Sequence, residues 1–270
     1  MRRYDNVIIG TDLDGTLYEN QNNIPKQNLL KIKEFTDNGG KFAIATGRGI
    51  EAARALAEVI PTDTPAIVNN GHTLYDYKNE REIYSLSLPE NLKEIVFDIQ
   101  KRFKNVAVEI YSGRDLYVMN INETLLDHLS YEKVDYINAC ICDVNELKWN
   151  KVLLTDKKEG IDKVRDYLMK KPHDGFEFVN TSELYLEAVI AGVTKGTALL
   201  KLAEHFGIPK ENTFSIGNFY NDIGLLQSAA HSAVVKGTPD DVAKYADLVC
   251  DKTAVEGAVA EYIGFVENRF

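Results

Sequence analysis

Short, wholly apolar runs alternate with amphipathic helical patterns at both ends of the chain, and this rhythm restricts the fold more than any other feature. Val7-Ile8-Ile9-Gly10-Thr11 shows no polar alternation, as a strand buried on both faces requires. Leu29, Ile32 and Phe35 recur at helical spacing between Pro25 and Asn38; Pro25 suits a first turn and Gly39-Gly40 a stop. Phe42-Ala43-Ile44-Ala45, a helix over 50–60 and Ala66-Ile67-Val68 complete a strand, helix, strand, helix, strand series. That series predicts a parallel sheet covered by helices. The C-terminal part repeats it, with helices expected over 195–206, 222–229, 240–245 and 253–266 and strands over 213–216, 232–235 and 247–250.

The middle of the chain has a different period. Residues 105–111 and 116–119, and again 176–179 and 184–189, alternate with period two and are joined by Ser112-Gly113-Arg114-Asp115 and Asn180-Thr181-Ser182-Glu183. These read as two hairpins. Two amphipathic helices, over 90–103 and 160–171, lie among them. The expected fold is α/β, a doubly wound, Rossmann-like parallel-sheet core built from residues 1–82 and 187–270. An α+β module over 83–186 interrupts it.

Composition removes several classes of function. The 270 residues carry 31 Lys and Arg against 41 Asp and Glu, a net charge of −10, and basic runs never exceed two residues, as at Lys170-Lys171. Nucleic-acid binding rests on clustered cations, so no nucleic-acid partner is expected. Val7-Ile8-Ile9 is too short for a signal-peptide core, and no apolar run is long enough for a bilayer, so the expected location is cytoplasmic, away from membranes. Cys140, Cys142 and Cys250 are too few for a disulfide framework and lack further ligands at zinc spacing; they read as buried or inert thiols. The five His are scattered, and only His72, after an Asn-Gly turn, falls near a strand end.

Four segments at expected strand ends carry chemistry. Thr11-Asp12-Leu13-Asp14-Gly15-Thr16 places two carboxylates where the first strand runs into a turn, the edge at which doubly wound sheets bind ligands. Such a pair can share one metal ion while one acid stays free to react, although a lone D-x-D also fits a solvated turn. Thr46-Gly47-Arg48 joins a hydroxyl, a glycine amide and a helix start, which suits an anion or, equally, a simple helix cap. Lys195 begins a helix, where a cation is disfavoured unless an anion meets it. Gly217 to Asp222 follows another strand and opens a helix with an acid.

In order and spacing these segments resemble the four motifs of the haloacid dehalogenase-like phosphatases, in the Cof-like branch whose α/β cap is inserted after the third strand. Asn69-Asn70-Gly71 is similar to the Asn-Gly turn that precedes the cap in that branch. The resemblance implies that Asp12 is the nucleophile that becomes an aspartyl phosphate, and Asp14 the general acid and base. It implies that Thr46, Gly47, Arg48, Asn70, Gly71, Asn221 and Lys195 hold the phosphorylated substrate. A magnesium ion would be held by Asp12, Asp14, Asn218 and Asp222, and cap side chains closing over the site would select a small phosphorylated metabolite. Trp149 and the 14 Tyr read as cap and core packing, although Tyr111 and Tyr117 could reach a substrate from the cap sheet.

One position departs from that pattern. The fourth motif normally begins Gly-Asp, and here Asn218 stands in the acid's place. A phospho-ligand-binding or regulatory protein with a weakened metal site is therefore an alternative to a phosphatase. A response-regulator receiver is disfavoured, because its phosphorylated Asp lies on the third strand, where this chain has Val68-Asn69-Asn70.

Overall fold

The computed structural model describes residues 2–19, 23–171 and 173–270. The chain runs through β1 (Ile8–Thr11), α1 (Lys26–Asp37), β2 (Lys41–Ile44), α2 (Ile50–Val59) and β3 (Ala66–Val68). A single 3-10 turn, Asn69–Gly71, leads to β4 (Thr73–Asp76) and β5 (Arg81–Ser85). Then follow α3 (Asn91–Arg102), β6 (Ala107–Ser112), β7 (Asp115–Met119), α4 (Glu123–Glu132), β8 (Ile137–Asn138) and α5 (Ile141–Val144). β9 (Lys151–Thr155), α6 (Lys158–Leu168), β10 (Phe176–Asn180) and β11 (Tyr185–Ile190) complete the middle of the chain. The last part is α7 (Lys195–His205), β12 (Thr213–Gly217), α8 (Ile223–Ser228), β13 (His231–Val234), α9 (Asp240–Ala243), β14 (Leu248–Val249) and α10 (Ala258–Glu267).

Two compact units result: Met1–Arg48 with Ala53–Tyr84 and Val193–Phe270, and Gly49–Ala52 with Ser85–Gly192. The first unit holds a sheet in the order β14-β13-β12-β1-β2, with every neighbouring pair parallel. A parallel bridge from Ala45 to Ile67 sets β3 beside β2. β3 also begins the small β3-β4-β5 sheet. β1 is central and buried on both faces, which is why its sequence is apolar without alternation. α7 covers one face, where Leu199, Leu202 and Ala203 pack with Ile8, Ala43, Ala45 and Ile67. α1 and α10 join through Asn28, which donates to the Leu17 carbonyl and accepts from Ala260 N–H.

α10 begins at Ala258 rather than at 253. The Glu256 carboxylate accepts from the backbone and hydroxyl of Thr253, and Gly257 sits at φ 87°, so this turn stays outside the helix. Among the described residues no helix is long and apolar enough to cross a membrane.

The second unit is a six-stranded sheet in the order β10-β11-β9-β6-β7-β8. The two expected hairpins are β6–β7 and β10–β11, both antiparallel. Between them lies β9, antiparallel to β6 and β11, which no reading of the sequence had placed. One face packs Val108, Ile110, Val152, Leu154 and Leu186 against α3 and α6; on the other, α4 covers Ala107, Tyr111, Leu116 and Val118 with Leu125 and Leu129. The expectation of buried thiols holds for Cys250 but not for the other two. Cys140 and Cys142 are exposed and disulfide-bonded to each other, and they flank the start of α5.

α4 also carries a buried charge. His128 Nδ1 lies 3.3 Å from Glu109 Oε1, and its Nε2 lies 3.4 Å from Glu132 Oε1. Glu109 accepts in addition from the Tyr111 and Thr155 hydroxyls. Burial alone would lower the imidazole, but the two carboxylates outweigh it and raise it from 6.5 to about 10. A folded-state value above the unfolded one means that His128 stabilises fully below pH 6.5, and that this contribution is lost as pH rises toward 10. His128→Gln should therefore lower the denaturation midpoint most in acid, with the gap to wild type closing across that window. A gap independent of pH would contradict the charged state.

Candidate active site

The ends of β1, β2, β3 and β12 and the start of α7 carry the motif residues. Asp12 N–H donates to the Ile216 carbonyl at 3.0 Å, which extends the β1–β12 ladder by one residue and fixes the Asp12 backbone against β12. The chain then turns sharply, with Leu17 N–H donating to the Leu13 carbonyl and Gly15 N–H to that of Tyr18. Gly15 has φ 79°, and a Cβ there would lie 2.3 Å from Asn218 Nδ2. Only glycine lets this turn rest against Asn218. Thr16, also in the turn, donates its hydroxyl to Asn218 Oδ1 at 3.0 Å.

From the end of β2, Thr46 N–H donates to the Ile67 carbonyl, and the Thr46 hydroxyl accepts from Arg48 N–H. The Arg48 side chain, 3% exposed, grips Asp14 with both ends of its fork: Nε to Oδ2 at 2.8 Å and Nη2 to Oδ1 at 2.7 Å. Tyr18 donates its hydroxyl to the same Asp14 carboxylate. Asn69, Asn70 and Gly71 all have positive φ, and the Asn70 amide lies against Gly47. A Cβ on Gly71 would meet the Thr194 carbonyl at 2.3 Å, so glycine here brings the turn up to the start of α7. Asn221 Nδ2 donates to Asn70 Oδ1 at 3.2 Å.

α7 is capped by Thr194, whose hydroxyl accepts from Thr197 N–H while the Thr197 hydroxyl accepts from Thr194 N–H. Lys195 is consequently the first helical residue, and its side chain is fully buried. Its Nζ donates to Asp12 Oδ1 at 2.6 Å and to Asp222 Oδ1 at 2.7 Å. The other Asp222 oxygen accepts from the backbone N–H groups of Asn218 and Phe219, at 2.9 and 3.1 Å. Asp222 thus ties the lysine to the loop that carries Asn218.

Burial would lower the Lys195 ammonium, but Asp12 and Asp222 overcome it and hold the group charged well above the usual lysine value. Asp12 is pushed upward, chiefly by burial and next by repulsion from Asp222, with Lys195 opposing both. Two acids share one cation, so this buried triad carries an excess negative charge. Asp14 and Arg48 balance each other. Among the described residues none donates a hydrogen bond to the remaining oxygen of Asp12, Oδ2, and Asn218 Oδ1 accepts one from Thr16. Hard oxygen donors at the rim of a negative cluster suit a small divalent cation such as magnesium.

All eleven sequence-selected residues therefore meet: Asp12, Asp14, Thr46, Gly47, Arg48, Asn70, Gly71, Lys195, Asn218, Asn221 and Asp222. Tyr18 was missed, and nothing in its local sequence marks it; only the fold of the turn brings its hydroxyl to Asp14. His72, noted for following the Asn-Gly turn, is fully buried.

The model of the haloacid dehalogenase-like hydrolases matches residues 9–263. The chain belongs to that family. Among relatives of this hydrolase, the 5-amino-6-(5-phospho-D-ribitylamino)uracil phosphatase YitU of Bacillus subtilis is 25% identical over 267 residues, 95% of this chain and 96% of its own. A haloacid dehalogenase-like hydrolase of Bacteroides thetaiotaomicron superposes with a TM-score of 0.86 at 21% identity, covering 96% of this chain and 99% of that one. The subclass IIB sugar phosphatase BT4131 gives 0.82 at 22% identity, covering 96% and 98%. The parallel-sheet α/β fold is common to these structures and to this haloacid dehalogenase-like hydrolase.

Proposed function

We propose that this hydrolase is a magnesium-dependent phosphatase that cleaves a small phosphorylated metabolite through an aspartyl phosphate on Asp12. The observation that carries this reading is the buried Asp12–Lys195–Asp222 triad, in which Lys195 holds one Asp12 oxygen while the other has no hydrogen-bond donor among the described residues. An oriented carboxylate with a free oxygen, beside a cation that stays charged, is what attack on phosphorus requires. Attack by Asp12 Oδ2 forms the new P–O bond, and the P–O bond to the leaving alcohol breaks. Asp14 serves as the general acid toward that alcohol and, as the carboxylate that Arg48 clasps, then as the general base toward the water that releases phosphate.

The Arg48 fork fixes the orientation of Asp14, a role that replaces the direct phosphate contact implied by the resemblance. Thr46, the Gly47 amide and Lys195 receive the phosphoryl oxygens, and Asn70, Gly71 and Asn221 shape the adjoining wall. Asp12, the Asp14 carbonyl and Asn218 would hold magnesium, which supplies the positive charge that lets a phosphate dianion approach this acidic cluster. Both Asp222 oxygens are engaged already, so we assign Asp222 to positioning Asn218 and Lys195 instead of to direct ligation. The relatives named for a phosphorylated ribitylaminouracil and for sugar phosphates favour a small phosphate ester as substrate. A cytoplasmic location belongs to the same proposal.

Asn218 supports the second reading, a phospho-binding protein that has lost turnover. An amide oxygen can ligate magnesium but brings a dipole in place of a charge. Asn218→Asp should lower the magnesium concentration for half-maximal hydrolysis of an aryl phosphate by about 10-fold. Superimposable titrations would remove Asn218 from the metal. If neither protein hydrolyses any ester in a panel of phosphorylated metabolites yet both bind phosphate, the regulatory reading replaces the catalytic one.

A further inference from the structure

A second group of metal-ligating side chains lies in the other unit, after the edge strand β8. Cys140 precedes α5, Cys142 is its second residue and Asp143 its third. One ligand atom from each of the three lies within 4.8 Å of the other two, and all three residues are exposed. Asp143 Oδ1 is 4.0 Å from Cys142 Sγ, while its other oxygen accepts from Cys140 N–H at 2.7 Å. Both cysteines open onto a groove of about 610 Å³ whose wall includes Glu146 and Asn145.

The disulfide that joins the two cysteines does little for the fold. A cross-link between residues two apart removes almost no freedom from the unfolded chain, because the constraint grows with the size of the loop closed. The local backbone has other anchors. Val144 is buried, its carbonyl accepts from Trp149 Nε1 at 2.9 Å, and the Asn145 carbonyl accepts from Lys93 Nζ at 2.7 Å. These contacts hold α5, and with it Cys142 and Asp143, whether or not the sulfurs are bonded. An exposed disulfide with no structural duty is open to thiol–disulfide exchange.

We propose that Cys140, Cys142 and Asp143 form a redox-gated site for a thiophilic divalent cation of the zinc and cadmium class, closed as the disulfide and opened by reduction. A cellular dithiol is the reductant. One of its thiolates attacks a sulfur of the Cys140–Cys142 bond to give a mixed disulfide, and its second thiolate displaces the remaining cysteine. Two electrons pass to the protein, both cysteines become thiols after taking up two protons, and the dithiol leaves as its own disulfide. The cation then displaces both thiol protons and is held by two thiolates and the Asp143 carboxylate, with a fourth position open to water. Soft sulfur donors separate this site from the all-oxygen donors near Asp12.

The test is a cadmium titration of the full chain, as isolated in air and after treatment with a phosphine reductant that is then removed, read by the thiolate-to-cadmium charge-transfer absorption. Reduced wild type should bind one cadmium per chain with the charge-transfer band, and the oxidised protein should show none. Cys140→Ser and Cys142→Ser should each weaken binding at least about 100-fold, and Asp143→Asn about 10-fold with the band retained. Asp12→Asn should titrate like wild type. The proposal is overturned if the Cys140→Ser/Cys142→Ser double variant keeps the band, if the oxidised and reduced proteins respond alike, or if the thiols never pair in air.

Discussion

Asp12→Asn should reduce phosphate release by on the order of 10⁴-fold or more while leaving the fold in place. The amide keeps the shape of the carboxylate but lacks the charge and nucleophilicity needed to attack phosphorus. It also relieves the triad: Lys195 would face a single partner, Asp222, in place of two acids. The thermal midpoint should therefore stay at or above that of wild type, which separates loss of chemistry from loss of structure. A variant that keeps a tenth of wild-type turnover, in a preparation free of contaminating phosphatase, would remove Asp12 from the nucleophile role.

Lys195→Met should damage both stability and ligand binding. The substitution keeps most of the side-chain volume at a fully buried position, yet it leaves Asp12 and Asp222 buried together with no cation between them. Breaking a buried ionic contact from one side costs about 3–5 kcal/mol, so a substantial fall in denaturation midpoint is expected. Vanadate and phosphate should bind at least about 100-fold more weakly, because the excess negative charge then meets the anion directly. Calorimetric or fluorescence titration against wild type checks this. Unchanged vanadate affinity would confine Lys195 to a purely structural role.

The core was legible in the sequence because β1, β2 and β3 are buried on both faces and read as short apolar runs. β9 is just as buried, but Lys151 and Thr155 bracket only three apolar residues, and no turn signal sets it apart from Trp149-Asn150. α4 escaped because its apolar residues form a thin stripe, with Leu126 left exposed beside Leu125 and Leu129. At the site, the residues could be chosen from strand ends and motif order, whereas their pairings could not. That Arg48 clasps Asp14, or that Asp222 divides its oxygens between Lys195 and two amides, depends on approaches between segments far apart in the chain. Cys140 and Cys142 show the converse error. Without ligands at zinc spacing they read as buried or inert thiols, but the segment is an exposed helix start at which the two pair as a disulfide.

The central claim is transfer through a covalent phosphoenzyme, and the stereochemistry at phosphorus tests it most directly. An aryl phosphorothioate made chiral at phosphorus with two oxygen isotopes would be hydrolysed by the wild-type protein and magnesium in water enriched in the third, which yields a chiral thiophosphate. Attack by Asp12 followed by attack of water inverts phosphorus twice. Net retention of configuration is the predicted result, and net inversion, the mark of direct attack by water, would contradict the account.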